Sequence, residues 1–220
     1  MIEVHHLVHS RSQRALWLLE ELGLDYQIRR YTRDPETMLA PASLMAVHPL
    51  GKSPVIVDGD KTLAESGAIL EYLVDAYGAG RFAPPPGSQN RLRYTYFMHY
   101  AEGSLMPPLV MKFVFLQLPR RAPFVVRPIA GAIASRALAS YIDPQIERHL
   151  DFLEGELGDR PWFAGDAFSA ADIQMSYPLE AAASRAGLDA RRPKLWDFLR
   201  RIGERPAYAR AVAKGGPTAL

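Results

Sequence analysis

A hydroxyl-rich segment near the N-terminus has residue types that could stabilise an anion. Residues 9–14 read HSRSQR, with Ser10 and Ser12 between a predicted strand and a predicted helix. Serine is a favoured N-cap residue, so one of these hydroxyls could simply cap the helix. A helix N-terminus also carries partial positive charge, and a serine hydroxyl placed there can donate a hydrogen bond to a thiolate. Both interpretations are open at this point.

A second segment, residues 48–55 with the sequence HPLGKSPV, places a serine and a proline at the start of a predicted strand. Proline is tolerated there because the first residue of a strand need not donate to the ladder. If the Ser53–Pro54 peptide bond is cis, the N–H and C=O of Ser53 face outward and can pair with an extended peptide ligand. About 5–6% of X–Pro bonds in folded proteins are cis, so the sequence alone does not decide between the two forms.

The third segment is the pair Glu65-Ser66 at the start of a predicted helix. An acid beside a hydroxyl at this place commonly caps the helix. The pair also suits an amino-acid head group, because the helix N–H groups can bind a carboxylate while Glu65 pairs with an ammonium.

The elements that must position these segments alternate in type over residues 1–80. Apolar patterning predicts the order β-α-β-α-β-β-α, with a weak, proline-interrupted helix at residues 35–47 and a stronger one at residues 66–77. Asp58-Gly59-Asp60 is a hairpin signal between the last two strands. This part of the chain is therefore predicted to be an α/β domain.

The remainder of the chain shows helical periodicity throughout. A proline-rich linker at residues 81–87 divides the domain at 1–80 from an all-helical domain at 88–220. Helices are predicted at residues 91–105, 133–157, 170–186 and 195–205, with a kink in the second of them at Asp143-Pro144. Ser169 and Asp172 have capping-box spacing, which we interpret as structural.

Composition excludes several classes of protein. The 220 residues include 26 Lys+Arg and 24 Asp+Glu, and the net charge of +2 is too small for binding nucleic acid or a membrane by charge alone. No cysteine is present, which excludes disulfides and a thiol nucleophile from the protein itself. His5 and His6 point to opposite faces of a strand, so we expect no metal site there. The chain shows no signal-peptide pattern and no long apolar run, and we expect a cytoplasmic protein.

The three segments, in this order and followed by the capping motif, resemble the soluble glutathione S-transferase family. The run SRSQRALWLLEELGL, which starts at Ser10, resembles serine-type bacterial and fungal members, and no tyrosine ends the first predicted strand. The resemblance covers essentially the whole chain. It implies a thioredoxin-like α/β N-terminal domain followed by an all-α C-terminal domain.

The resemblance also implies site residues. Ser10 matches the catalytic serine that donates a hydrogen bond to the glutathione thiolate, and Ser12 is the alternative because this turn contains two serines. Five positions match glutathione-binding residues of the family: Lys52, Ser53, Pro54, Glu65 and Ser66. In the family the residue before the cis proline holds the cysteinyl backbone, the acid–serine pair holds the γ-glutamyl head group, and the lysine is a weaker match for binding the glycyl carboxylate.

The function implied is conjugation of the glutathione thiolate to an electrophilic, largely apolar small molecule bound between the domains, without a metal. The alternatives are a glutathione-dependent peroxidase or thiol reductase, and a non-catalytic binding or interaction module. A homodimer is expected, because the helix at residues 66–77 and the aromatic-rich residues 91–105 carry more apolar surface than one small core requires.

Overall fold

The computed structural model describes residues 1–216, and its N-terminal part is built on a four-stranded mixed sheet. The strands are β1 (Ile2–Leu7), β2 (Tyr26–Tyr31), β3 (Val55–Asp58) and β4 (Lys61–Ala64). They lie in the order β2-β1-β3-β4. β2 pairs with β1 in parallel, whereas β1–β3 and β3–β4 are antiparallel.

Three helices complete this α/β part: α1 (Gln13–Leu22), α2 (Ala42–Met45) and α3 (Ser66–Tyr77). α1 is the crossover between the parallel strands β1 and β2, and Gly23 ends it in the left-handed conformation, with φ of 71°. The bounds of α3 agree with those predicted from the sequence.

The helix predicted at residues 35–47 is wrong for most of its length, because only α2 is helical there. Asp34 accepts hydrogen bonds from the backbone N–H groups of Glu36 and Thr37, and this side-chain turn takes up donors that a helix would have used. Pro41 then occupies the N-cap position of α2.

The C-terminal part is helical. Its α-helices are α4 (Gln89–Tyr100), α5 (Met106–Arg121), α6 (Arg127–Ala137), α7 (Asp143–Leu157), α8 (Ala170–Arg185), α9 (Pro193–Gly203) and α10 (Pro206–Gly215). A π-helical turn, Ala101–Leu105, joins α4 to α5, and a second one, Leu138–Ile142, joins α6 to α7. The α/β fold followed by a helical part is as predicted, while the exact domain limits of 1–80, 81–87 and 88–220 stay a prediction.

Two helix predictions need correction. The single helix at residues 133–157 is interrupted by the π-helical turn just before Pro144, which lies in the first turn of α7. The helix predicted at residues 195–205 begins and ends earlier, as α9, and α10 follows it as a separate, unpredicted helix. Pro206 starts α10, since the residue before a proline is driven out of the helical conformation.

The core runs continuously from one part to the other. Trp17 of α1 is 1% exposed and packs edge-on against Tyr208 of α10, with ring centroids 5.0 Å apart. Tyr94, Phe97 and Tyr100 are buried within this same core. The premise that these aromatic residues need a partner subunit to cover them is therefore wrong.

The capping motif at the start of α8 is structural, as predicted. Asp172 is fully buried and accepts hydrogen bonds from the backbone N–H groups of Ser169 and Phe163, each at 2.8 Å. Burial raises the pKa of this carboxyl to about 6, although these two N–H groups and the Ser169 hydroxyl, which also donates to it, act in the opposite direction.

Candidate active site

The residues predicted to bind glutathione lie around one cavity of about 230 Å³. Its lining includes all five of the predicted positions, Lys52, Ser53, Pro54, Glu65 and Ser66. The segment before β3 supplies the first three, and the start of α3 supplies the other two. Three polar or charged side chains that the sequence analysis did not propose as site residues also line the cavity: Arg11, His48 and Glu102.

The peptide bond between Ser53 and Pro54 is cis. The Ser53 hydroxyl donates to the backbone carbonyl of His5 at 2.9 Å and accepts from the N–H of Leu7 at 3.2 Å. Both of these contacts bind the side chain to β1. The main chain of Ser53, rather than its hydroxyl, is therefore the part suited to pair with a ligand.

Glu65 does not act as a helix cap. It occupies the N-cap position of α3 with φ of 71°, an unusual value for a residue with a side chain, and its carboxylate makes no capping hydrogen bond. The carboxylate lies exposed at the cavity instead. Non-glycine residues held in this conformation cost about 1–3 kcal/mol and cluster at functional sites.

A buried arginine supports the neighbouring hydroxyl. Arg14 of α1 is 1% exposed and donates to Ser66 Oγ at 2.9 Å and to the backbone carbonyl of Gln174 at 2.9 Å. Because a guanidinium only donates, Ser66 accepts in this bond and keeps its own proton for a ligand.

The charge of Arg14 is balanced by Glu102, which lies on the π-helical turn after α4. Glu102 also accepts two hydrogen bonds from Arg11 Nε, both at 3.0 Å. Burial acts to raise the pKa of Glu102, but Arg14 and Arg11 hold it below its usual range. Such π-helical turns are frequent at functional sites, yet no pattern in the sequence signals this one.

The two serines of the first turn occupy different environments. Ser12 is fully buried, and its Oγ lies 2.8 Å from His6 Nδ1 and 2.8 Å from Ser10 Oγ. Ser10 is 5% exposed, and its Oγ lies 3.4 Å from the Oγ of Ser53, which lines the cavity. Ser12 stands at the N-cap position of α1, but its hydroxyl makes no capping bond, so the capping interpretation is wrong.

The direction of each hydrogen bond follows from the partner of His6. His6 Nε2 lies 2.8 Å from the carbonyl oxygen of Gly215, which can only accept, so Nε2 carries the proton. Burial lowers the pKa of His6 and favours its neutral form, in which Nδ1 is an acceptor. Ser12 therefore donates its single proton to His6 and accepts from Ser10. Of the two serines in the first turn, only Ser10 has a hydroxyl proton that can be redirected to a ligand.

Two family models match the chain, the N-terminal domain of glutathione S-transferases over residues 1–75 and their C-terminal domain over residues 133–201. Glutathione S-transferase 3 of Schizosaccharomyces pombe is 37% identical over 97% of this chain and 88% of its own length. The chain belongs to the glutathione S-transferase family. It is a glutathione transferase, and glutathione is its co-substrate, as the sequence led us to expect.

Solved structures agree with this assignment. A glutathione S-transferase from Actinobacillus pleuropneumoniae is 31% identical, with a TM-score of 0.80 over 98% of this chain and 93% of that one. A sphingomonad glutathione S-transferase solved in complex with glutathione is 28% identical, with a TM-score of 0.72 over 97% of this chain and 98% of that one.

This transferase has a second cavity, of about 330 Å³, beside the first. Arg11 lines both cavities, while the loop after β2, helix α5 and helix α8 supply most of the remaining lining. The lining combines apolar side chains, as predicted for an acceptor cleft, with arginines, which were not predicted there.

The side chains of His5 and His6 are used in hydrogen bonds. His5 Nδ1 lies 2.8 Å from the Tyr31 hydroxyl, on a different side of β1 from the contact between His6 and Gly215. Within residues 1–216 no group of three or more His, Cys, Asp or Glu is placed to hold a metal ion. Over the same residues, no helix has both the length and the apolar composition needed to cross a membrane.

Proposed function

We propose that this glutathione transferase binds glutathione in the cavity between Ser53–Pro54 and the start of α3, and uses Ser10 to stabilise the thiolate. The observation that carries the proposal is the hydrogen-bond chain from Ser10 through Ser12 and His6 to the carbonyl of Gly215. Ser12 gives its proton to His6, whereas Ser10 can turn from Ser12 to an incoming sulfur. The thiolate is a better acceptor for the Ser10 proton than the Ser12 hydroxyl, because hydrogen bonds to charged groups are roughly twice as strong as neutral ones.

The remaining contacts follow from the lining of the cavity. The main chain of Ser53 pairs with the cysteinyl backbone of glutathione. At the γ-glutamyl end, Ser66 and the N–H groups that begin α3 hold the carboxylate, and Glu65 pairs with the ammonium. We assign the glycyl carboxylate to Lys52, which lines the same cavity.

The chemistry is nucleophilic attack by sulfur. Free thiols are mostly protonated at neutral pH, and the thiolate is the nucleophile. The Ser10 hydroxyl and the positive end of α1 favour the thiolate, and the thiol proton leaves to solvent. The sulfur lone pair then forms a bond to the electrophilic carbon, and the leaving group departs with the electrons of the bond that breaks.

The direct test is binding followed by turnover. The protein should be retained on immobilised glutathione and should conjugate it to 1-chloro-2,4-dinitrobenzene. Retention without conjugation would favour the peroxidase or reductase alternative, to be assayed next with a peroxide or a mixed disulfide. Failure to bind glutathione would contradict the proposal and favour a non-catalytic interaction module.

We also propose that the protein is a homodimer that acts in cytoplasmic detoxification. Although most of the aromatic side chains of α4 are buried, Leu92 and Tyr96 on its outer face are 75% and 48% exposed. Leu50, at the edge of the glutathione cavity, is 60% exposed. If these exposed side chains form the contact between two subunits, both glutathione cavities lie near the interface. A two-fold dimer is also the commonest oligomer.

A further inference from the structure

The second cavity carries a concentration of positive charge. Four arginines, Arg11, Arg33, Arg121 and Arg185, contribute to its lining, which contains no Asp or Glu. The whole chain has a net charge of only +2, so this charge belongs to the cavity and not to the protein as a whole.

Two of these arginines have part of their guanidinium unused. Arg33 donates from Nη1 to the carbonyl of Met38 at 3.1 Å, while its buried Nε has no hydrogen-bond partner among residues 1–216. The buried Nε of Arg185 likewise has no partner in the described chain, and its guanidinium lies over the Phe113 ring, 5.1 Å from the centroid. An unpaired buried donor costs free energy, and an anion that accepts from these groups would recover it.

Arg11 differs from these two arginines, because its Nε donates to Glu102, which lines the glutathione cavity. Its guanidinium carbon also lies 5.6 Å from the centroid of the Tyr177 ring, which lines the second cavity. Arg11 is therefore shared between the cavities, whereas the other three arginines belong to the second one alone.

The apolar part of the lining has a shape suited to an organic body. Met106, Val110 and Phe113 lie on one face of α5, and Tyr177 of α8 also lines the cavity. Aromatic and sulfur-containing side chains of this kind contact rings favourably. The cavity thus offers an apolar surface for the body of an acceptor and guanidinium groups for an anionic substituent.

We propose that the electrophile of this transferase is an anionic one, an aryl or alkyl carboxylate whose apolar body carries the reacting carbon. The inference rests on the proposed function, because it assigns the acceptor class of the same site. Arginine presents paired N–H donors that match the two oxygens of a carboxylate, and the low polarity of a cleft strengthens such pairs. Glutathione does not account for the charge, since its own carboxylates are assigned to the start of α3 and to Lys52.

The test compares two acceptors with the same chlorodinitrophenyl ring, 4-chloro-3,5-dinitrobenzoate and its methyl ester, and each variant is referred to wild type because the ester is larger and intrinsically more reactive. In both reactions the glutathione sulfur bonds to the ring carbon, chloride leaves with the electron pair of the C–Cl bond, and the thiol proton goes to solvent. We expect Arg185→Gln and Arg121→Gln each to lower the ratio of kcat/KM for the acid to kcat/KM for the ester by about tenfold or more, because losing one hydrogen bond to a charged group costs about 1.5–3 kcal/mol.

Arg120 provides a matched control, because it precedes Arg121 on α5 but does not line the cavity. Arg120→Gln should leave the ratio of acid to ester unchanged. If Arg185→Gln and Arg121→Gln change the two acceptors equally, or if neither variant changes the acid, the proposal is wrong while the transferase activity stands.

A binding measurement keeps the result independent of turnover. Calorimetry with S-(4-carboxybenzyl)glutathione and S-benzylglutathione should show the carboxylate analogue binding more tightly to the wild-type protein, and Arg185→Gln should remove that advantage. Equal affinities for the two in the wild type would overturn the carboxylate proposal alone. If neither analogue binds, the glutathione site itself is refuted, and the inference falls with it.

Discussion

The two serines of the first turn should separate cleanly in a thiolate titration. Ser10→Ala removes the one hydroxyl whose proton can reach the glutathione sulfur. A hydrogen bond to a charged group contributes about 1.5–3 kcal/mol, and one pKa unit corresponds to about 1.4 kcal/mol. We therefore expect Ser10→Ala to raise the pKa of bound glutathione by about one to two units. Glutathione affinity at low pH should stay within about threefold, because the head-group contacts are untouched.

Ser12→Ala should behave differently. It removes the group that accepts the Ser10 proton in the free protein, so the pKa of bound glutathione should remain near the wild-type value or fall slightly. It also leaves Nδ1 of the buried His6 without its partner, which costs about 1–3 kcal/mol in the free energy of unfolding. One serine therefore affects mainly the thiolate, and the other affects mainly stability.

The assay is the ultraviolet absorbance of the thiolate in the enzyme–glutathione complex as a function of pH, alongside urea unfolding of each variant. Wild-type protein and Ser12→Ala serve as references for Ser10→Ala. If Ser12→Ala raises the pKa of bound glutathione and Ser10→Ala leaves it unchanged, the assignment of the proton to His6 is wrong and Ser12 is the catalytic serine.

Three further predictions concern the head group, acid stability and assembly. Glu65→Gln should weaken glutathione binding by about tenfold, since the ligand ammonium loses its charged partner, and calorimetry showing unchanged affinity would remove Glu65 from the site. Burial acts to raise the pKa of Glu20, but Lys214, Tyr26 and Arg210 lower it to about 2, so the stability this group contributes is present above about pH 4.5 and is lost as the pH falls toward 2. Glu20→Gln should therefore flatten the decline of the unfolding free energy on acidification, and a curve parallel to wild type would contradict the assignment. Sedimentation equilibrium should give about 49 kDa, twice the chain mass of 24.5 kDa, and a single species at the chain mass would refute the dimer.

Local signals carried most of the correct predictions. The hairpin turn at Gly59 and the start of α3 at Ser66 each depend on a few neighbouring residues, and the types of those residues restrict the backbone directly. The prediction failed at residues 35–47, where side-chain hydrogen bonds from one turn competed with the helix. The separate helix α10 was missed because the prediction ended at residue 205, whereas Pro206 is the first residue of a new helix.

The parts of the site that the sequence did not reveal depend on contacts between distant residues. Glu102 reaches Arg14 from 88 positions away, and it does so from a π-helical turn that has no sequence pattern of its own. The arginines of the second cavity are similarly spread over two loops and two helices. Charge counting along the chain could not detect them, because their effect arises only where the folded chain brings them together.

The choice between Ser10 and Ser12 also depends on a contact between distant residues. Ser12 donates to His6 only because the carbonyl of Gly215, at the end of α10, fixes the proton of the imidazole on Nε2. The close approach that makes this contact possible requires a glycine, since a Cβ at residue 215 would lie 2.1 Å from Gln13 Oε1 and 2.7 Å from Leu16 Cδ1. A helix absent from the sequence prediction thus fixes the hydrogen bond of Ser12, and our proposal that Ser10 meets the thiolate depends on it. The motif identifies two candidate serines, and the packing of α10 against α1 is the reason that we propose Ser10.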